Sequence, residues 1–203
     1  MDDPRLYAPA TRRNRDPILS VLRAILPEEG LALEIASGSG EHIVHFAAQL
    51  PKLTFLPTDP GASARASIAA WIAASGVANV RPPLDLDAAS PHWPVERADA
   101  LICLNMIHIS PWAATEGLFA GARTILPPGA PLYLYGPFKR NGAHTAESNE
   151  AFDASLRAQD GVWGVRDLEA VAACGEIAGF GWPEIIEMPS NNLSVIFRRR
   201  DVP

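Results

Sequence analysis

Short apolar runs alternate along the chain with segments whose apolar residues recur at helical spacing. The runs have the length of strands, and turn-forming or polar residues follow them. The strand-like runs cover residues 31–36, 53–56, 80–86, 98–105, 132–135, 183–188 and 193–197, and the helix-like segments cover 16–26, 41–50, 62–75, 110–126, 147–158 and 167–178. This alternation predicts an α/β protein with an open, mostly parallel sheet and helices on both of its faces.

Two details refine the predicted sheet. The run 80–86 contains Pro82 and Pro83, which cannot donate a ladder hydrogen bond, so this strand is predicted at an edge. The last two runs are separated only by residues 189–192, which are too few for a crossover helix, so these strands are predicted to be antiparallel. The pattern therefore predicts a doubly wound, Rossmann-like, seven-stranded sheet with an antiparallel C-terminal strand.

The first strand ends in Ser37-Gly38-Ser39-Gly40, directly before the start of a helix. Glycines at this point allow a ligand to lie against bare main chain, and the helix start offers unpaired N–H groups. Asp59 follows Gly40 by 19 residues, at the end of the second strand, where a carboxylate can accept hydrogen bonds from two ribose hydroxyls. An aspartate that only forms the turn before Pro60 is the alternative. These residues predict a site for a nucleotide-like ligand.

The length and the apolar content are those of one folded unit. With 203 residues, 48% of them hydrophobic, the chain can bury a full core, and we expect a single domain over 1–203. Within it, residues 1–30 are predicted to form an N-terminal arm and a helix. The polar insertion 138–165 follows a strand end and is predicted to cover the active-site side; a surface helix without a function is the alternative.

The arm carries three arginines just ahead of the first predicted helix, which is expected to begin at Asp16-Pro17. The arginines are Arg12, Arg13 and Arg15. They are either solvated or folded over the ligand, where an arginine would meet a carboxylate or a phosphate. The second arrangement places Arg15 among the ligand-binding residues.

Composition and charge narrow the environment and the partners. There is no run of about 18 apolar residues, and the N-terminus lacks the apolar segment of a secretory signal, so we expect neither a membrane span nor secretion. Cys103 and Cys174 lie far apart in apolar patterns, which predicts free thiols in the cytoplasm. The net charge of −6 and the pI near 5.3 argue against broad nucleic-acid binding. His42 and His45 lack a third ligand at useful spacing, so no metal site is predicted.

Seven groups of short motifs carry a family resemblance. They are residues 10–19 (Ala-Thr-Arg-Arg-Asn-Arg-Asp-Pro-Ile-Leu), 33–42 (Leu-Glu-Ile-Ala-Ser-Gly-Ser-Gly-Glu-His), 105–109 (Asn-Met-Ile-His-Ile), 135–138 (Tyr-Gly-Pro-Phe), 148–149 with 152–153, 163–167 (Trp-Gly-Val-Arg-Asp), and 188–189 with 191–192. On these motifs the chain resembles the class I S-adenosylmethionine-dependent methyltransferases over essentially its full length, and more narrowly the family of methyltransferase-like protein 26. The resemblance implies methyl transfer from S-adenosylmethionine to a small molecule or a protein, and it does not identify the acceptor.

The resemblance also assigns residues to the cofactor. The class motif, acidic-x-Gly-x-Gly-x-Gly, falls on Glu34 to Gly40 with Ala36 in place of the first glycine, and the cofactor is still expected to bind. Asp59 matches the ribose-binding acid of the class, and Asp85 matches the position that faces the adenine. The implied cofactor-binding set, with Arg15 added from the arm, is Glu34, Ala36, Ser37, Gly38, Ser39, Gly40, Asp59, Asp85, Leu86, Asn105, Met106 and Arg15.

Methyl transfer from a sulfonium is an in-line displacement, which needs a general base only when the acceptor arrives protonated. His108 follows the fourth strand and titrates near neutrality, so it is predicted to be that base; a structural histidine bonded to the next loop is the alternative. Asn105 and Tyr135 complete the predicted catalytic set, and the predicted acceptor-binding residues are Asn149, Asp153 and Asn192. The chain lacks the Asp-Pro-Pro-Tyr and Asn-Pro-Pro-Tyr signatures of amino-group methylation, which disfavours bases and glutamine as acceptors.

Two other functions fit part of the pattern. A protein that binds S-adenosylmethionine without turnover would account for Ala36 and for the lack of a recognisable base. A nicotinamide-dependent oxidoreductase would use a similar sheet, but Ile43 stands where its turn needs a third glycine. The antiparallel final strand also speaks against the oxidoreductase, so the sequence favours the methyltransferase.

Overall fold

The main sheet of the computed structural model, which describes residues 3–201, contains six strands and confirms the predicted α/β class. These strands are β1 (Gly30–Ile35), β2 (Leu53–Pro57), β3 (Ala100–Leu104), β4 (Pro131–Gly136), β7 (Glu184–Met188) and β8 (Asn192–Arg198), while β5 (Lys139–Arg140) and β6 (Ala143–His144) form a separate hairpin. In the order β2-β1-β3-β4-β8-β7, the first four strands are parallel and β8 is antiparallel to both of its neighbours. The predicted antiparallel final strand is confirmed.

The described residues contain six α-helices, and helices cover both faces of this sheet. They are α1 (Thr11–Ile25), α2 (Glu41–Gln49), α3 (Ala62–Ser75), α4 (Trp112–Ile125), α5 (Glu147–Gln159) and α6 (Leu168–Ile177). One apolar core lies between the sheet and the helices α4 and α6. A second core lies between the sheet and the helices α1 and α2. Because β1 to β4 are parallel, their carboxyl ends meet at one edge of the sheet. Open α/β sheets bind their ligands at this edge.

The prediction of a continuous third strand over residues 80–86 is wrong. Residues 80–86 lie beside β2, as expected for an edge, but they form only two isolated bridges, Phe55 with Val80 and Thr58 with Leu84. The physical reason is the pair Pro82-Pro83, because neither proline has an N–H to donate to the ladder. The seven predicted strands are thus six strands and one bridged edge segment in the described part of the chain.

The predicted start of the first helix is also wrong. The helix α1 begins at Thr11, and Pro17 lies inside it. An internal proline removes one helical hydrogen bond and costs about 3 kcal/mol. The turn ahead of Pro17 is held in place by α2, since the side chain of Asn14 contacts His42 at 2.8 Å and that of Asp16 contacts His45 at 2.8 Å. These tertiary contacts extend the helix beyond the point where the local pattern predicts its start.

The segment after β4 contains the β5–β6 hairpin and α5, which confirms the helix predicted at 147–158 to within one residue. The backbone of Lys139 pairs with the 166–167 segment, so the hairpin is joined to the region just before α6. Between residues 3 and 201, no helix is both long and apolar enough to cross a membrane.

Candidate active site

The turn between β1 and α2 has an unusual backbone. Ala36, Gly38 and Gly40 all adopt positive φ angles, of 56°, 58° and 91°. A Cβ on Gly38 would meet nothing within 4 Å, so the main chain there faces open space. A Cβ on Gly40 would lie 2.8 Å from the Cα of Ile68, so this glycine is needed for the close packing of α3. The turn therefore exposes its main chain at Gly38 and packs against α3 at Gly40.

Asp59 connects this turn to the end of β2. Its Oδ2 accepts a hydrogen bond from the Gly38 N–H at 3.0 Å, and its Oδ1 accepts one from the Gly61 N–H at 2.9 Å. A carboxylate offers about four lone-pair positions, so about two remain for other donors. The carboxylate is held in one orientation beside the open side of the turn, and it can accept two further hydrogen bonds.

The segment 84–86 is tied to the same edge by Arg65 of α3. The guanidinium of Arg65 donates to the carbonyl oxygens of Asp59 and Pro60, at 2.9 and 2.8 Å, and it pairs with Asp85 at 3.1 Å. The Asp85 side chain is 68% exposed, while Leu86 is buried. Asp85 thus lies at the rim, and its predicted contact with an adenine stays a prediction.

Glu34 lies at the end of β1, directly below the turn. Its side chain is buried, and its Oε2 has no hydrogen-bond partner among the described residues. Burial raises the pKa of this carboxyl to about 8, with a smaller increase from Asp59 and an opposing effect from a hydrogen bond with Ser37. The carboxyl is therefore protonated at neutral pH.

The ends of β3 and β4 bring together three of the predicted residues. Asn105 has a φ of 60°, and its N–H donates to the carbonyl of Tyr135 at 2.8 Å. His108 is fully buried, and its Nδ1 accepts a hydrogen bond from the Arg166 N–H at 3.3 Å. Burial, followed by the charge of Arg166, lowers the pKa of His108 to about 3, while a hydrogen bond with the Gly164 backbone and the charge of Asp153 have smaller opposing effects. His108 is therefore a neutral imidazole at physiological pH.

Gly136, the last residue of β4, allows the His108 ring to approach the sheet. A Cβ on Gly136 would lie 2.5 Å from Nε2 of His108 and 3.2 Å from Oδ1 of Asn105. Nε2 has no hydrogen-bond partner among the described residues. This ring nitrogen is therefore directed at the ends of β3 and β4.

Arg166 holds the loop that follows β3, and the sequence reasoning did not identify it. Its guanidinium donates to the carbonyl oxygens of Ile107 at 2.8 Å, Ser110 at 2.6 Å and Val162 at 3.0 Å. It also lies 5.8 Å from the centre of the Trp112 ring. The motif 163–167 was the available signal, but a motif does not show which carbonyl groups an arginine will reach.

The N-terminal arm packs against the helices beside the glycine turn. The Leu6 N–H donates to Ser67 Oγ at 2.7 Å, and this hydroxyl donates in turn to the carbonyl of Ser39 at 2.7 Å. The Ala8 N–H donates to Glu41 Oε2 at 2.6 Å. The arm therefore contacts the turn through Ser67 and the first turn of α2.

Asn14 links α1, α2 and β4. Its Oδ1 lies 2.8 Å from His42 Nε2, and its side chain lies near enough to the Tyr135 hydroxyl to oppose part of the rise that burial causes in the pKa of Tyr135. Burial lowers the pKa of His42 to about 4 and raises that of Tyr135, so both are neutral at physiological pH. Nearby, Nε of Arg15 is buried and has no hydrogen-bond partner among the described residues. Arg15 belongs to α1, which packs on the face of the sheet that carries Tyr135.

Two of the predicted acceptor-binding residues, Asn149 and Asp153, lie in α5, and the third, Asn192, begins β8. Asp153 accepts a hydrogen bond from the Val165 N–H at 2.7 Å, and it pairs with Lys139, His144 and Arg157. Asn149 donates to the carbonyl of Asn191 at 2.9 Å, and Asn192 donates to that of Pro189 at 3.1 Å. These contacts hold α5, the hairpin and the β7–β8 turn together, and the role of the three residues in acceptor binding stays a prediction.

Replacing Ala36 by glycine is expected to stabilise the protein by about 0.5–1 kcal/mol, because the left-handed conformation strains any residue with a Cβ. Chemical denaturation measures the change. Ala69→Gly, at an exposed position of α3, is the matched control and is expected to destabilise by about 1 kcal/mol. A loss of stability in Ala36→Gly similar to that of the control would contradict the strain argument.

Several solved structures, among them those of methyltransferases, are similar to the chain in fold. An O-methyltransferase family protein from Burkholderia thailandensis is 15% identical with a TM-score of 0.80, and the match covers 96% of this chain and 58% of that one. Human N-acetylserotonin methyltransferase, solved in complex with S-adenosylmethionine, is 13% identical with a TM-score of 0.76, over 95% and 53% of the two chains. The YcgJ protein from Bacillus subtilis is 13% identical with a TM-score of 0.71, over 94% and 100%. At these identities the likeness shows the fold.

One curated relative is similar over a shorter stretch. The tRNA (guanine-N(7)-)-methyltransferase of Rhizobium meliloti is 35% identical over 68 residues, which make up 32% of this chain and 29% of that protein. The chain thus matches less than a third of this relative and spans a little over half the length of the Burkholderia and human structures.

A family model matches almost the whole chain. It covers residues 5–199, from the N-terminal arm through β8, and its description is "Protein of unknown function (DUF938)". The narrower resemblance to methyltransferase-like protein 26 stays a prediction. The extent of the match places the glycine turn, Asp59, the insertion and the final hairpin within one family unit, and the chain belongs to the DUF938 family.

Proposed function

We propose that the protein is an S-adenosylmethionine-dependent methyltransferase that acts on a small molecule or a protein side chain. The observation that carries this proposal is the contact between Asp59 Oδ2 and the Gly38 N–H, 3.0 Å apart at the adjoining ends of β1 and β2. It joins a carboxylate with free lone pairs to a turn that faces open space. This pairing suits a ribose whose two hydroxyls meet the carboxylate, with the methionine moiety of the cofactor lying along the main chain of the turn.

The residues around the turn fit this cofactor. The unpartnered Oε2 of Glu34 would accept a hydrogen bond from a donor such as the methionine amino group. When bound, the cofactor would supply an activated methyl group on a sulfonium. The residues that would hold it are Glu34, Ala36, Ser37, Gly38, Ser39, Gly40, Asp59, Asp85, Leu86, Asn105, Met106 and Arg15.

The task left to the chain is to align an acceptor and to exclude water. Asn105 and Tyr135 would lie beside the reactive methyl, at the ends of β3 and β4. The insertion 138–165 would cover this end, and Asn149 fastens it to the β7–β8 turn through the carbonyl of Asn191. We assign the covering role to the insertion on the strength of this contact and of the contacts that Asp153 makes with Lys139, His144 and Arg157.

Calorimetric titration of the purified protein tests the proposal. S-adenosylmethionine and its demethylated product are expected to bind, and NADH is expected to give no binding heat. Incubation with the tritiated methyl donor and a cell extract, separated into small-molecule and protein fractions, is then expected to label one fraction. Binding of NADH without binding of S-adenosylmethionine would overturn the proposal in favour of an oxidoreductase. Binding of S-adenosylmethionine with no label in either fraction would indicate a protein that binds this donor without transferring its methyl group.

A further inference from the structure

The N-terminal arm, residues 3–10, is connected at two points to one residue of the glycine turn. We propose that this arm is a strap for the turn, and that Ser67 and Glu41 are positioning residues that transmit its closure to Ser39. The proposal rests on the proposed cofactor site and adds a means of control to it. A closed arm would hold the turn in the conformation that binds S-adenosylmethionine, and bound S-adenosylmethionine would in return hold the arm closed.

The first connection runs through Ser67, which is fully buried in α3. Its hydroxyl accepts the Leu6 N–H at 2.7 Å and donates to the carbonyl of Ser39 at 2.7 Å. A hydroxyl that accepts one hydrogen bond becomes a stronger donor in the next, so the two bonds reinforce each other. Loss of the bond from Leu6 would therefore weaken the hold on the Ser39 carbonyl.

The second connection runs through Glu41, the buried first residue of α2. One oxygen of its side chain, Oε2, accepts both the Ala8 N–H at 2.6 Å and the Ser39 hydroxyl at 3.2 Å. A carboxylate oxygen has the lone pairs for both bonds. The arm and the side chain of Ser39 thus share one acceptor, so a movement of the arm would shift the atom to which the Ser39 hydroxyl is bonded.

Ser39 is the residue through which these connections would affect ligand binding. It stands between Gly38, whose main chain faces open space, and Gly40, which packs against Ile68. Because a glycine on each side leaves the backbone free to adopt many angles, the turn depends on outside contacts to keep one conformation. The carbonyl and the hydroxyl of Ser39 each receive such a contact, and both contacts lead to the arm.

The arm itself is attached by few contacts, which suits a segment that opens and closes. Leu6 and Tyr7 are 48% and 56% exposed. Trp71, one turn after Ser67 in α3, provides the other main attachment: its Nε1 donates to the Leu6 carbonyl at 2.9 Å. The rings of Tyr7 and Trp71 also meet edge to face, with 5.3 Å between their centres. With so little of its surface buried, the arm can leave the helices while they stay packed.

Hydrogen exchange of the arm amides, measured by NMR on the full chain, tests the coupling. The amides of Leu6 and Ala8 are expected to exchange about tenfold more slowly when the demethylated product of S-adenosylmethionine is bound, because the ligand keeps the arm closed. The Tyr7 amide lies between them and has no hydrogen-bond partner among the described residues, so it is the internal reference. Unchanged exchange at Leu6 and Ala8 in the saturated protein overturns the strap while the cofactor site stands. A ligand that does not bind at all overturns both.

Substitutions in the arm and in α3 test the connection through Ser67. Leu6→Pro removes one N–H at an exposed position and is expected to weaken binding of the demethylated product about tenfold, whereas Leu6→Ala keeps this N–H and should stay within twofold of the parent protein. Ser67→Ala removes both bonds and is expected to weaken binding about 30-fold. Ser75→Ala, at the exposed end of the same helix, is the matched control and should leave the affinity unchanged.

The double variant distinguishes one chain of bonds from two separate defects. Because both substitutions break the same connection, Leu6→Pro combined with Ser67→Ala is expected to bind about as weakly as Ser67→Ala alone. A combined loss of about 300-fold, which is the product of the two single losses, would contradict the relay. A Leu6→Pro protein that binds as tightly as Leu6→Ala would also overturn the strap.

Discussion

Replacement of Asp59 by asparagine is expected to weaken the binding of S-adenosylmethionine about 100-fold, which corresponds to about 3 kcal/mol. The two carboxylate oxygens accept the Gly38 and Gly61 N–H groups and would each have room for one ribose hydroxyl. Asparagine keeps the size of the side chain but removes the charge and turns one acceptor into a donor. The amide would then face either a backbone N–H or a hydroxyl that needs an acceptor, so at least one of these bonds is lost. Calorimetric titration with the demethylated product measures the change.

Asp87 provides a matched control, because its Oδ1 accepts the N–H of the residue two positions ahead, Ala89, at 2.9 Å, as Asp59 does with Gly61. Asp87 is exposed and lies after the edge segment. Asp87→Asn therefore reproduces the loss of a turn-forming carboxylate without a change at the glycine turn, and its affinity is expected to stay within twofold of the parent protein. Equal affinities in both variants, measured on folded protein, would remove Asp59 from the cofactor site.

The fold could be predicted because its elements are encoded locally. An apolar run such as 98–105 favours a buried strand, and the three residues between β7 and β8 are too few for a crossover. Both errors arose at prolines. Pro82 and Pro83 leave the edge segment without the N–H groups that a continuous strand needs. Pro17 marks a helix start by its own preference, yet Asn14 and Asp16 pack on α2 and the helix continues around it.

The candidate site was less predictable, because its main partnerships join residues that are far apart in the chain. Arg166 reaches the carbonyl of Ile107 across 59 positions, and Asn14 lies between His42 and Tyr135. No local pattern encodes such contacts. The prediction of His108 as a base depended on the ordinary pKa of histidine, which burial and Arg166 lower. The glycine turn, in contrast, needs particular backbone angles, and Ala36 takes the left-handed angle where the class motif has glycine.

The contribution of Glu34 to the free energy of unfolding is expected to fall as the pH rises from about 4.3 to about 8, and Glu34→Gln is expected to remove this contribution, so that the variant gains stability relative to the parent protein. The folded protein holds the Glu34 proton up to a pKa of about 8, whereas the unfolded chain releases it near 4.3. Between these values Glu34 binds fewer protons in the unfolded state than in the folded state, so through this group each increase in pH favours unfolding. A neutral glutamine of the same size has no proton to hold. At pH 7 it should therefore stabilise the protein by on the order of 3 kcal/mol.

Chemical denaturation of both proteins at pH 5, 6, 7 and 8 measures this effect, with Glu184→Gln as the control. Glu184 begins β7 and is exposed, so its replacement should leave the slope of stability against pH as it is in the parent protein. The two glutamine variants are expected to diverge steadily as the pH rises, because only one of them removes a buried carboxyl. A Glu34→Gln variant that is less stable than the parent at pH 7 would show that the carboxyl is ionised and has a partner. Glu34 would then contribute a charge to the turn, and the hydrogen bond proposed for the methionine amino group would become an ion pair.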